Sequence, residues 1–189
     1  MDVLHWSDDR FAGSGRRWNA ELRRTRSAAM TVTDQERIAA QRRTIDEHIK
    51  GENDHDWARV YGTFLTDERA YYDVVPLSTR FPGFQGVQDF YRLIEAAIPD
   101  FRVVVTAEYD TPGASVREVT ITGTHRGEYC GVTPQGLPVS VEVAAFYLFG
   151  DGHEAGKLVA ERVYYDNETL LRQMRGEEDS RAGVGLSAS

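Results

Sequence analysis

The sequence predicts an α+β fold, with helices packed on one face of a curved antiparallel sheet, and three observations carry that expectation. Apolar residues recur at helical spacing up to Pro99, the period changes to two from Phe101 onward, and the late strands are joined by links too short for parallel crossovers. A chain of 189 residues suits one good core and is short for two. One domain is therefore expected over 33–175, between a flexible extension over 1–32 and a disordered tail over 176–189.

The elements follow in order. Thr33 with Glu36 forms a capping box, and Ile38, Ile45 and Ile49 then recur at helical spacing until Gly51 supplies a stop. A short second helix is expected from Asn53 or Asp54, with Trp57, Val60, Tyr61 and Phe64 on one face. Ala70 to Val75 reads as a strand, followed by a loop through Pro82-Gly83. The third helix carries the stripe Val87, Phe90, Tyr91, Ile94, Ala97 and Ile98, and Pro99 ends it. Phe101, Val103, Val105, Ala107 and Tyr109 then alternate along a strand, and Thr111-Pro-Gly113 turns the chain. Three more strands are expected over Val116 to His125, Val139 to Phe149 and Leu158 to Tyr165, before Asp166 or Asn167 caps a last helix with Leu170, Leu171 and Met174.

Composition excludes several function classes. A formal net charge of −8 opposes a nucleic-acid partner, whose phosphates need clustered Lys and Arg. No apolar run approaches the roughly 18 residues of a membrane span, and the leading segment has neither a secretory apolar core nor the acid-poor character of a transit peptide. Arg10, Arg16, Arg17, Arg23, Arg24 and Arg26 stand there among acids, and Met30 offers an alternative start. A cytoplasmic location is expected, with Cys130, the single cysteine, as a bystander thiol.

The motifs Phe81-Pro-Gly-Phe-Gln-Gly86, Ile98-Pro-Asp-Phe-Arg102, Gly123-Thr-His-Arg-Gly-Glu128, Gly131-Val-Thr-Pro-Gln-Gly136 and Glu161-Arg-Val-Tyr-Tyr-Asp166 with Leu171-Arg-Gln-Met174 are similar to those of a known group. Over about Gln35 to Gly176 the chain resembles the SnoaL-like polyketide cyclase and ester cyclase group of the nuclear transport factor 2-like superfamily. The resemblance implies a cone-shaped, cystatin-like fold in which the curved sheet and three N-terminal helices enclose a pocket. It implies homodimers through the outer sheet face and chemistry without a metal or organic cofactor: aldol closure, dehydration, isomerisation or epoxide opening, in specialised metabolism. Carried over residue by residue, the cyclase acid/base aspartate falls on Val163, its assisting histidine near Ala145 and an asparagine near Tyr72. The expected acid is thus replaced.

Strand parity nominates substitutes. Glu161 and Tyr165 share the face of Val163, so Glu161 is the leading acid/base candidate if desolvated, or a rim partner of Arg126. His125 either relays a proton or bonds the turn around Gly127, and Tyr72 is placed to polarise a substrate oxygen. Trp57, Tyr61, Tyr147, Tyr165 and Val163 are expected to wall a substrate pocket, with Asp73 joining only if a bulge exchanges it with Tyr72. Asp166 reads as an N-cap, and Phe146 with Leu148 as a dimer face. Two functions result: a cofactor-independent acid/base enzyme acting on a small, apolar, oxygenated metabolite, or a non-catalytic ligand-binding or scaffold homodimer. Regulatory binding through the Arg-bearing extension is a third, weaker reading.

Overall fold

The computed structural model describes residues 32–177. The chain divides after Gln35, and the larger compact unit begins at Glu36. The expected extension and tail fall outside the described residues, save Val32, Gly176 and Glu177 at their edges.

Helix α1 spans Val32–Asp54 and buries Ile38, Ile45 and Ile49. Thr33 therefore lies inside the helix, and Gly51 does not stop it. The reason for a glycine there is close approach: a Cβ on Gly51 would sit 2.9 Å from Val60 Cγ2 of the next helix. That helix, α2, spans Trp57–Tyr61 and starts later than expected, because the Asp56 side chain accepts from Arg59 N as its N-cap. Asn53 fastens the end of α1 to the sheet by accepting from Val103 N (2.8 Å) and donating to Val103 O (2.9 Å).

Strand β1 (Tyr71–Val74) turns through a 3₁₀ segment into β2 (Thr79–Pro82), a strand where a loop is expected. Helix α3 (Gly83–Ala97) follows at once, and Gly86 is obligatory because a Cβ would lie 2.5 Å from the carbonyl carbon of Phe81. Then come β3 (Arg102–Thr111), β4 (Ala114–Thr124), β5 (Pro138–Phe149), β6 (Leu158–Tyr165) and helix α4 (Asn167–Arg175). Asp166 caps α4 by accepting from Thr169 N, as expected. Gln173 ties α4 to β5 through both backbone groups of Ser140.

The strands form one curved, six-stranded sheet in the order β2-β1-β6-β5-β4-β3. The meander β3 to β6 is antiparallel as the short links require, but β1 pairs with β6 in parallel, so the sheet is mixed. Link length governs only consecutive strands. The β1–β6 pairing is reached through the whole intervening chain. A register shift between Val105 and Ala107 reverses the alternation of β3, which turns Tyr109 outward (56% exposed) and brings Glu108 and Asp110 opposite Arg117 and Ser115. The core lies between the sheet's inner face and the helices, and no helix among the described residues is long and apolar enough to cross a membrane.

Candidate active site

The buried stripe of α1 contains polar residues. Gln41, His48 and Glu52 interleave with Ile45 and Ile49 at helical spacing, and all five are buried. A polar group in such a place needs partners, since burying it unpaired costs several kcal/mol, on the order of 2–7. For His48 and Glu52 the partners come from β6 and α3.

Glu161 lies on β6 with Tyr72 of β1 opposite on one side and Tyr147 of β5 on the other, all three on the inner face. Its Oε1 accepts from the Tyr72 hydroxyl (3.2 Å), and its Oε2 accepts from the Tyr91 hydroxyl (3.1 Å) and lies 3.2 Å from His48 Nε2. The Tyr91 hydroxyl, carried by α3, is also 2.9 Å from His48 Nε2 and 3.1 Å from Glu52 Oε1. Behind the ring, Thr63 Oγ1 donates its only proton to Val60 O at 2.6 Å and is 2.9 Å from His48 Nδ1. That hydroxyl must accept, so Nδ1 carries a proton and Nε2 is the nitrogen that faces the carboxylates.

The electrostatics follow from burial and a surplus of acid. Burial opposes the charged imidazole, yet Glu52 and Glu161 together raise the His48 pKa to about 10. Burial pushes the Glu161 carboxyl up, against the hydrogen bond and charge of His48. Both directions state one fact: the cluster holds protons tightly. Burial and the two carboxylates keep the phenols of Tyr72, Tyr91 and Tyr147 protonated, hence donors.

A small apolar cavity of about 70 Å³, partly open to solvent, lies above this cluster. Ile94, Ile98, Phe101, Val143 and Leu170 line its walls, together with Glu52, Tyr72 and Tyr91 of the cluster. Tyr129 and Tyr165 stand at another side, with their hydroxyls 2.5 Å apart. Phe90, Ile94 and Tyr129 also line an adjoining groove with Val74, Phe81 and Cys130.

The expected residues are therefore only partly brought together. Glu161, Tyr72 and Tyr147 converge, and Tyr165 lines the cavity, but Glu161 meets it through the Tyr72 and Tyr91 phenols and is nowhere near a rim. His125 is buried without a hydrogen bond to either ring nitrogen among the described residues, so it joins neither Glu161 nor the turn backbone through its ring. Trp57 and Tyr61 lie behind the wall, packed on Tyr91 at ring-centroid distances of 5.5 and 6.1 Å. No bulge exchanges Asp73 with Tyr72: Asp73 takes both Arg80 and Arg162, and the Arg80 fork holds its carboxyl below the usual range. Val163 is buried beside Ala145, its partner in register. His48, Glu52 and Tyr91 were missed as site residues, although the polar positions inside the α1 stripe were the signal for the first two.

A mixed, curved sheet packed on helices is the fold shared with nuclear transport factor 2-like and SnoaL-like proteins. Within it, residues 31–174 match the model of the SnoaL-like polyketide cyclase family, and the chain belongs to that family. Solved structures share the fold. AclR from Streptomyces galilaeus, a candidate hydroxylase, is 20% identical with a TM-score of 0.62, over 75% of this chain and 85% of that one. IdmH from Streptomyces antibioticus, a candidate polyketide cyclase, is 22% identical with a TM-score of 0.58, over 71% and 98%. A SnoaL-like polyketide cyclase candidate from Shewanella denitrificans is 14% identical with a TM-score of 0.63, over 72% and 98%. No curated protein matches the sequence.

Proposed function

We propose that the chain is an enzyme that uses acid/base catalysis on a small, largely apolar, oxygenated metabolite, by ring closure, dehydration or epoxide opening. The observation that supports this reading is the convergence of Glu52, Glu161, His48, Tyr72 and Tyr91 at the floor of an apolar cavity. On substrate binding, Tyr72 or Tyr91 would turn its single hydroxyl proton from Glu161 to a substrate oxygen on which charge develops. Glu52, at the cavity surface, would exchange the proton. Glu161 and His48 act through these three groups: they set the proton inventory of the cluster and hold the phenols in place. Trp57 and Tyr61 brace Tyr91 from behind.

The cyclase pair of the resemblance is replaced by Ala145 and Val163, which stand side by side and buried. The acid has moved two residues along β6, about 7 Å. This favours a reaction other than the aldol closure of relatives, and it also motivates the second reading, a ligand-binding protein without turnover. The discriminating experiment screens β-keto esters, hydroxy ketones and epoxides for turnover by the wild type, Glu52→Gln and Glu161→Gln, with binding followed by calorimetry. Loss of turnover by about 100-fold in both variants, with affinity retained, supports catalysis. Ligand binding without turnover in the wild type supports the carrier. The same proposal includes a homodimer through the outer sheet face, where Phe146 and Tyr164 meet edge to face at 5.3 Å beside Arg162, on a face that also carries Glu118 and Glu142. Sedimentation of Tyr164→Glu as a monomer, against a wild-type dimer, tests it.

A further inference from the structure

His48 Nε2, Tyr91 Oη, Glu52 Oε1 and Glu161 Oε2 stand at the corners of a small polyhedron. Tyr91 Oη is 2.9 Å from His48 Nε2 and 3.1 Å from each carboxylate oxygen, and Nε2 is 3.2 Å from Glu161 Oε2 and 3.6 Å from Glu52 Oε1. The remaining edge joins two carboxylates whose ligand atoms lie within 4.8 Å. In a tetrahedral zinc site with bonds of about 2.0–2.1 Å, neighbouring ligand atoms are about 3.3–3.4 Å apart, which is the middle of the observed span.

Proton arithmetic points the same way. Thr63 commits the Nδ1 proton of His48 to the outside of the cluster. Even with the imidazole protonated, the four inward atoms share only two protons, those of His48 Nε2 and the Tyr91 hydroxyl. Four contacts of 3.2 Å or less cannot all be full hydrogen bonds on that supply. One cation at the centre would satisfy every lone pair at once. The Nδ1–H to Thr63 bond is also the outer-shell arrangement that fixes a metal-ligating histidine in its Nε2-bare tautomer.

We infer that His48, Glu52, Glu161 and Tyr91 form a binding site for one divalent transition-metal ion of zinc size. One nitrogen and three oxygens at tetrahedral spacing suit Zn²⁺ or Co²⁺, whereas Mg²⁺ and Ca²⁺ need six or more oxygen ligands and larger or octahedral cages. Binding displaces the His48 Nε2 proton, the Tyr91 hydroxyl proton and any proton held by the carboxyl groups into solvent. Affinity therefore rises with pH. The inference rests on the geometry of the cluster and not on the acid/base reading: a bound ion takes the lone pairs and the Tyr91 proton which that reading uses, so the two describe different states of one cluster.

The test uses the full chain stripped with a chelator and titrated with Co²⁺ alone, with no substrate present. The expected result is one Co²⁺ per chain with the strong visible absorption of four-coordinate cobalt, displaced by Zn²⁺ and unaffected by excess Mg²⁺. Glu52→Gln and Tyr91→Phe should each weaken binding by about 10-fold or more, and Thr63→Val, which frees the imidazole, by about 10- to 100-fold. Tyr91→Phe preserves the packing of α3 and decides the matter should Glu52→Gln fail to fold. Absence of a one-to-one site, or binding that persists unchanged in Tyr91→Phe and Thr63→Val, overturns the inference.

Discussion

The inner face of the sheet carries two buried ionic clusters, and their charge balance differs. On β3 and β4, Arg117 is 1% exposed, and its Nη1 donates to Asp110 Oδ1 at 2.9 Å and to Ser115 Oγ at 2.5 Å. Arg42 closes on the other Asp110 oxygen at 2.5 Å, and Glu108 lies 3.6 Å from Arg117. Two guanidinium groups thus face two carboxylates. Beneath β6, a single imidazole faces Glu52 and Glu161. The first cluster is neutral and touches none of the atoms that line the apolar cavity. The second has acid in excess and reaches that cavity through Glu52, Tyr72 and Tyr91. A balanced pair holds a fold together. An unbalanced one is poised to take up protons or a cation.

The largest expected effect is at Arg117. Arg117→Ala should cost about 3–5 kcal/mol of stability, because it leaves Asp110 buried with only the exposed Arg42 as a charged partner beside Ser115. Burial alone would raise the Asp110 carboxyl, and Ser115, Arg42 and Arg117 together hold it low, so removing one of them exposes the opposing cost. Chemical denaturation measures this, and a loss under about 1 kcal/mol would mean that water already reaches Asp110.

Next in size is a pH dependence confined to the acid-rich cluster. A histidine raised to about 10 in the fold adds stability that is complete below its unfolded value of about 6.5. That stability is lost as pH rises from there to about 10. The raised Glu161 acts in the same sense, since the fold prefers its protonated form and stability falls as the ordinary carboxyl range is passed upward. Unfolding free energy of chelator-treated protein should decline between about pH 6.5 and 10, and the decline should vanish in His48→Gln. A flat wild-type profile would show that water neutralises the cluster.

Much of the fold was legible because it is written in periodicity. The α3 stripe and the alternation of β4 to β6 each report one buried face, and Asp166 is followed by a helix of the right pattern. What failed depends on tertiary pairing: Gly51 reads as a stop until Val60 is seen against it, and the bulge after Val105 has no signal in a run of valines. The candidate site was half legible for the same reason. Glu161, Tyr72 and Tyr147 could be put on one face from strand parity alone. His48 and Glu52 required reading the α1 stripe for its exceptions, and Tyr91 was counted as core because a tyrosine in an apolar stripe usually is.

Tyr72→Phe separates the two parts played by that residue. Removing the hydroxyl deletes one hydrogen bond to Glu161, worth about 1 kcal/mol, while the ring keeps its stacking on Phe90 at 3.5 Å between centroids. A stability change of that size with a much larger fall in turnover would place the hydroxyl at the reacting oxygen. Equal small changes in both would make Tyr72 a packing residue with an incidental bond.

The smallest expected effect is the sharpest test of the comparison. Glu52→Gln replaces a buried carboxylate by an isosteric amide; the attraction to His48 that it loses and the repulsion of Glu161 that it relieves oppose one another, so stability should stay within about 1 kcal/mol of the wild type. The amide oxygen can still accept from Tyr91, and the NH₂ can donate to the cavity side. The corresponding change in the balanced cluster, Asp110→Asn, strips the only carboxylate within hydrogen-bond reach of both Arg42 and Arg117 among the described residues, and should destabilise by several times as much. If Glu52→Gln instead costs about 3 kcal/mol or more, the acid-rich cluster is a structural ion pair after all, and its surplus charge is offset by the fold and not held ready for a substrate.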